Sequence, residues 1–222
     1  MKRSILIPTD FSDNAWNTVV YALKLYANEV CTFYFLHTLP HLSVPNRTFI
    51  KSEATDILED EALRQLTEVK DMAERANSNS NHSFDIILTT GKINIAIEEM
   101  VKKHKVDLVI MATRGVTTAK EIFFGSNVIA IINKMKLCPV LLVPDKFDFV
   151  EPKQIAFPTD FNRFFGEELQ PIKELSELYD SKIRIVHITK ETNLSKKQDY
   201  NLCMLKVYLE NYPHTFHWMP DY

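Results

Sequence analysis

The amino-acid sequence predicts an α/β fold, a doubly wound sheet of five parallel strands followed by a partial repeat of the same domain. Three observations carry this. Short apolar runs alternate with longer stretches of helical periodicity throughout residues 1–147, and strands separated by helices pair in parallel through right-handed crossovers. Residues 154–162, QIAFPTDFN, restate residues 4–12, SILIPTDFS. The chain has only 4 glycines, and two of them, Gly115 and Gly125, fall in one strand–loop–helix–strand stretch over 106–143.

In chain order, Ser4-Ile5-Leu6-Ile7 is a run suited to a strand buried on both faces, and Pro8 ends it. Thr9 to Ser12 is a turn, with Ser12 or Asp13 placed to cap a helix. Ala15, Val19, Ala22, Leu23 and Tyr26 then form its apolar stripe through Ala27. The β-branched and aromatic run 31–37 is a second strand. A Pro-containing loop follows, then a helix over 52–76 and a polar breaker, NSNSNHS, over 77–83, which has no apolar group with which to pack. A third strand is expected over 84–89, a turn at Gly91 and a third helix over 93–104. The fourth strand is placed at 107–111, the fourth helix at 122–135 and the fifth strand at 139–143.

Composition narrows the function. A net charge of -3 lacks the basic surplus that tracking a phosphate backbone requires, so no nucleic-acid partner is expected. Cys31, Cys138 and Cys203 are isolated thiols without metal or disulfide spacing, which fits a reducing cytoplasm. The N-terminal apolar run stops at Pro8, too short for a secretion signal, and no run reaches a membrane span. No partner membrane is expected. There is no Gly-x4-Gly-Lys loop, nucleophile elbow or His/Cys metal spacing. The pattern suits holding a ligand rather than turning it over, with slow hydrolysis the most it would support.

The repeat keeps one offset over Pro8/Pro158, Asp10/Asp160 and His37/His187, so strand, helix and strand are expected to recur without an insertion. Leu202, Leu205 and Leu209 give a further helix, and 215–219 a third strand. Nothing in 152–222 corresponds to 106–143, which leaves a sheet flank to be covered by the first domain, a partner chain or a natural product longer than this sequence. The domains are therefore 1–147, complete, and 152–222, partial.

These residues resemble the universal stress proteins. Pro8-Thr9-Asp10 follows a first strand, His37 closes the second, and Ala112-x2-Gly115-x9-Gly125-Ser126 follows the spacing G-x2-G-x9-G-[S/T] of that family's nucleotide-binding members. Tandem domains occur in the family. The resemblance implies strand order 3-2-1-4-5, a flavodoxin-like, adenine nucleotide alpha hydrolase-like arrangement, with ATP or AMP, with or without Mg²⁺, in the crevice between strands one and four. Carried over residue by residue, Asp10 sits at the nucleoside and the Thr38 backbone faces the adenine. Gly115, Gly125, Ser126 and Asn127 line the phosphates, and Ala112 occupies the position of the motif's first glycine. The implied function is a stress-response module that acts through ligand-dependent or oligomer-dependent interaction, as a homodimer or with a protein partner.

Each feature has a plainer reading. Ser126 and Asp10 are both residue types that cap helices. Asp160 has the setting of Asp10 without a phosphate loop to face, so capping is favoured there. His37 and His187 read as structural histidines, since no carboxylate or nucleophile accompanies them in sequence. Ala112 adds a methyl where the motif has glycine, and Val128 replaces a small hydroxyl residue. Both support the alternative of a scaffold or dimerisation protein whose nucleotide site has lapsed.

Overall fold

β1 (Lys2–Pro8) lies at the centre of a sheet, parallel to β2 (Val30–Leu39) on one side and β4 (Leu108–Ala112) on the other. β3 (Ser83–Thr90) pairs with β2, and β5 (Val140–Val143) with β4, which gives the order β3-β2-β1-β4-β5. This is the expected sheet. The computed structural model describes residues 2–40, 53–113, 125–189 and 193–220. Two compact units divide the chain, Met1–Phe149 and Val150–Tyr222.

Burial on both faces explains the apolar runs. Register pairs Ile5 with Phe33 and Ile7 with Phe35 on one face, and Leu6 with Tyr34 on the other; Ile5, Leu6, Ile7 and Phe35 are fully buried. On the first face Phe33 and Phe35 stack on Phe84 of β3, at 5.5 and 6.1 Å. The opposite face carries Leu6, Leu36, Val109 and Met111 into a core with Ala96, Ile97 and Val101 of α3 (Ile93–His104) and Val128 and Ile131 of α4 (Ser126–Lys134). α1 (Asp13–Leu25) and α2 (Glu53–Ala76) contact one another and the strands. Most strands run beyond their apolar cores, because ladder pairing such as Lys2 with Val30 asks nothing of the side chain.

Three expectations need correction or limits. The loop over 77–83 does pack, through polar groups: Asn79 Nδ2 donates to the carbonyls of Ala27 and Glu29 (2.9 and 2.8 Å). His82 Nε2 lies 3.0 Å from the Tyr26 carbonyl, and its ring meets Phe33 edge-on at 5.0 Å. The expected start of the fourth helix at 122 lies outside the described residues, where α4 is seen from Ser126. Finally, the repeat is not matched in its helix.

In the second unit β6 (Gln154–Pro158), β7 (Lys182–Thr189) and β8 (His214–Pro220) form a parallel sheet of order β6-β7-β8, the counterpart of β1-β2-β3. Its core joins Ile183 and Ile185 to Leu169 and to Leu202, Leu205 and Leu209, at and just beyond α6 (Lys196–Tyr208). The first helix, however, begins only after a 3-10 turn at Glu167–Leu169, as α5 (Gln170–Tyr179). A helix continued from the position of α1 would hold Pro171 in its interior, where proline removes a hydrogen bond and clashes with the preceding turn. At the first turn of α5 it costs nothing of the kind. Asp160 therefore does not cap a helix.

Candidate functional site

The turn after β1 is built by its own side chains. Thr9 donates its backbone N–H to Leu36 (2.9 Å), and Phe11, held at φ 64°, donates its own to Thr9 Oγ1 (3.1 Å). Ser12 donates to Asp10 Oδ1 from both its backbone (3.1 Å) and its hydroxyl (2.6 Å), and its Oγ accepts from Ala15 N at 3.2 Å. Ser12, not Asp10 or Asp13, is thus the cap of α1, and Asp10 aims the cap. Asp10 is itself exposed.

His37 closes the unit from β2. Its Nδ1 lies 2.8 Å from the Thr9 carbonyl, so Nδ1 carries the proton, and its ring lies 4.4 Å from that of Phe11. The second unit repeats the backbone bonds of this turn but not the helix cap, since the Asn162 side chain donates to Asp160 Oδ2 (2.7 Å). Phe161, at φ 56°, donates to Thr159 Oγ1 (3.1 Å), Asn162 N to Asp160 Oδ1 (2.9 Å), and His187 Nδ1 to the Thr159 carbonyl (2.8 Å). Both histidines serve the turn, which is the structural role.

Above the first turn lies a cavity of about 650 Å³. It sits at the C-terminal ends of β1 and β4, where strand order reverses and open parallel sheets take ligands. Asp10, Thr38, Ala112, Gly125 and Asn127 all line it. Ser126 opens α4 next to Gly125; its side chain and Gly115 lie outside the described residues.

Gly125 is the N-cap of α4, at φ -61° and ψ 154°, with no side-chain cap bond. Any residue can adopt that backbone, so glycine matters here for the side chain it lacks. The first turn of α4 therefore presents backbone N–H groups that no cap side chain takes, with the positive end of the helix dipole behind them.

Sequence reasoning missed several lining residues. Asn14 donates Nδ2 to the Thr113 carbonyl (3.4 Å), tying the start of α1 to the end of β4 across the cavity. Thr113 is 2% exposed and anchored by Val143, to which its N–H donates at 3.0 Å. Ile93 and Met111 supply apolar wall. The Asn14–Thr113 bond spans 99 positions and the Thr113–Val143 contact 30, so no local pattern marks them. Val128 is shared between the cavity wall and the core under α4.

Among the described residues that line the cavity Asp10 is the one carboxylate, and none is Lys or Arg. No cluster of three or more His, Cys, Asp or Glu with metal-holding geometry occurs among the described residues. No helix among them is long and apolar enough to cross a membrane.

Comparison with known proteins gives a consistent set of likenesses. Residues 1–144 match the universal stress protein family. A universal stress protein of Methanocaldococcus jannaschii, MJ0531, is 29% identical over 144 residues, covering 64% of this chain and 81% of its own. The crystal structure of a universal stress protein from Archaeoglobus fulgidus superposes with a TM-score of 0.72 at 19% identity, over 99% of this chain and 77% of that one. The structure of the hypothetical protein MJ0577 superposes with a TM-score of 0.54 at 25% identity, over 66% of this chain and 98% of that one.

Proposed function

Because the chain belongs to the universal stress protein family, we propose that its first unit binds an adenine nucleotide, ATP or AMP, and acts in the cytoplasmic stress response by presenting a different surface to a partner, or to a second copy, when the nucleotide is bound. The observation that carries this reading is the convergence of Asp10, Thr38, Gly125 and Asn127 on one cavity at the switch point of the sheet. In this reading Asp10, whose Oδ1 is taken by Ser12, accepts from a ribose hydroxyl through Oδ2. Thr38 offers its backbone to the adenine edge, and the uncapped first turn of α4 takes the phosphates.

The charge balance adds a condition. With no Lys or Arg among the described lining residues, a triphosphate relies on N–H groups and on a bound cation, whereas a monophosphate asks much less. Calorimetric titration is expected to show AMP binding with little dependence on Mg²⁺ and ATP binding strengthened by it. Absence of heat with either nucleotide at millimolar concentration, with and without Mg²⁺, removes the proposal. Gly125→Leu, which places a branched side chain at the mouth of the cavity, is expected to abolish binding.

A second reading rests on Ala112 and Val128. Both put apolar carbon into the cavity wall, as a scaffold that no longer holds nucleotide would tolerate. Purified protein that releases no nucleotide on denaturation, and takes up none, favours that reading.

A further inference from the structure

We propose that the outward face of α6 pairs with the same face of a second copy of the chain, antiparallel and about a two-fold axis near Cys203. One side of this helix is already used. Leu202 and Leu205, with Leu209 just beyond the helix, lie in the core of the second unit, and Asn201 Nδ2 donates to the Phe161 carbonyl at 2.8 Å. Tyr200, Met204 and Val207 follow one another at helical spacing and share the opposite side. All three are exposed, Tyr200 by 65% and Val207 by 68%, and Cys203 is exposed among them. Helices that are apolar all round are ordinarily buried all round.

The first unit, with all five strands, shows what its own fold does with this face. The counterpart helix is α2: with Leu66 set on Leu202, Ala73 falls on Leu209, and all four are buried. Tyr200, Met204 and Val207 then stand where α2 carries Arg64, Glu68 and Asp71, each of them exposed. Arg64 pairs with Glu61 at 2.6 Å and with Glu68 along that solvated surface. The strands and helices that the first unit has in addition leave this face of α2 to water, so elements of that kind are not what would cover α6. A tyrosine, a methionine and a valine in place of a ladder of ion pairs mark a contact surface.

Charge selects the occupant. Lys196 opens α6 and Glu210 follows its end, equally far before and after Cys203, and both are exposed. An antiparallel copy centred there brings each Lys196 to the partner's Glu210 and seats each Tyr200 on the partner's Val207. A parallel copy would set like charges together. The two-fold contact is isologous, with the same patch used on both sides, and it closes on itself. Four side chains on one helix cover less than the ~800 Å² per partner of a standard interface, so the pair is weak and depends on concentration.

Sedimentation equilibrium of the full chain, without nucleotide, is expected to show a reversible monomer–dimer equilibrium at concentrations up to about 1 mM. A short bismaleimide is expected to join two copies through Cys203, and Cys203→Ser to remove the link while leaving the dimer. Val207→Lys is expected to raise the dissociation constant by about tenfold or more. Lys196→Glu and Glu210→Lys are each expected to weaken the pair and together to restore it. Each also suits the helix dipole at its own end, so neither puts the fold at risk. A chain that stays monomeric over this range overturns the proposal, and slow maleimide labelling of Cys203 in that monomer assigns the face to another occupant. A dimer that Val207→Lys leaves unchanged, with the variant folded by circular dichroism, overturns it as well, since the copies then meet through a different surface.

Discussion

Several single residues hold more of this structure than their chemistry suggests. Asn79, in a loop with no apolar content, bonds two carbonyls of the α1–β2 connection. Asn79→Ala strands both acceptors and is expected to lower stability by about 2 kcal/mol in urea unfolding, against little change for Ser80→Ala beside it. Cysteine reactivity should divide sharply. Burial pushes the Cys31 thiol up to about 12, with the Glu29 carboxylate adding to the rise, while Cys203 lies exposed on α6. A thiol reagent at neutral pH is expected to label Cys203 quickly and Cys31 only on unfolding, and fast labelling of Cys31 in the native protein contradicts its placement. Asp160 provides a pH test. Hydrogen bonds from the Asn162 backbone, then from its side chain, hold the carboxyl below its ordinary value. A depressed folded pKa means the stabilisation is complete above the ordinary carboxylate range and is lost as pH falls through the folded value. Asn162→Ala keeps the backbone donor, so the Asp160 titration followed by NMR is expected to move only part of the way back up.

At the scale of elements, what could be read from the sequence was whatever local chemistry decides. The strands of the first sheet were legible because residues such as Ile5, Leu6 and Ile7 are buried on alternate faces and so form unbroken apolar runs. The repeated turn was legible because Thr9, Asp10 and Phe11 fold on themselves, and the same letters at Thr159 to Phe161 reproduce the bonds. The delayed start of α5 was decided by Pro171, a signal present in the sequence and outweighed there by the apparent register of the repeat. Of the cavity lining, Ala112 and Gly125, which the motif spacing carries, were within reach of sequence reasoning, while Gly115 and the Ser126 side chain lie outside the described residues. Asn14, Thr113 and Ile93 were not within reach, because only the closing of the sheet brings them together. Element boundaries also make testable claims. α6 starts with a capping box, Ser195 Oγ accepting from Gln198 N at 3.3 Å while the Gln198 side chain takes the Ser195 N–H at 2.9 Å. Ser195→Ala is expected to cost about 1 kcal/mol of stability, read as a lower denaturation midpoint with an unchanged slope.

For the molecule as a whole, the repeat supplies an internal control on function. Both units carry the same Thr-Asp-Phe turn closed by a histidine, so under the proposed function the turn is shared and the nucleotide site is set by what lies opposite it. Only the first unit adds β4, the N-terminus of α4 and β5 opposite that turn among the described residues. If the opposing half of the cavity is what binds, each chain takes up one nucleotide. Asp10→Ala then weakens uptake, while Asp160→Ala leaves both affinity and stoichiometry intact. The placement of the tryptophans allows the same claim to be tested without touching the site. Trp16 lies on α1 in the first unit and Trp218 on β8 in the second. Single-tryptophan variants, Trp218→Phe and Trp16→Phe, therefore report the unfolding of one unit each. Nucleotide at a hundred times its dissociation constant adds about 2.7 kcal/mol to the unit that binds it. The Trp16 transition is expected to move to higher denaturant on adding nucleotide and the Trp218 transition to stay where it was. A shift confined to Trp218 would place the nucleotide in the unit that lacks the cradle, and the assignment of the phosphates to the start of α4 would fall with it.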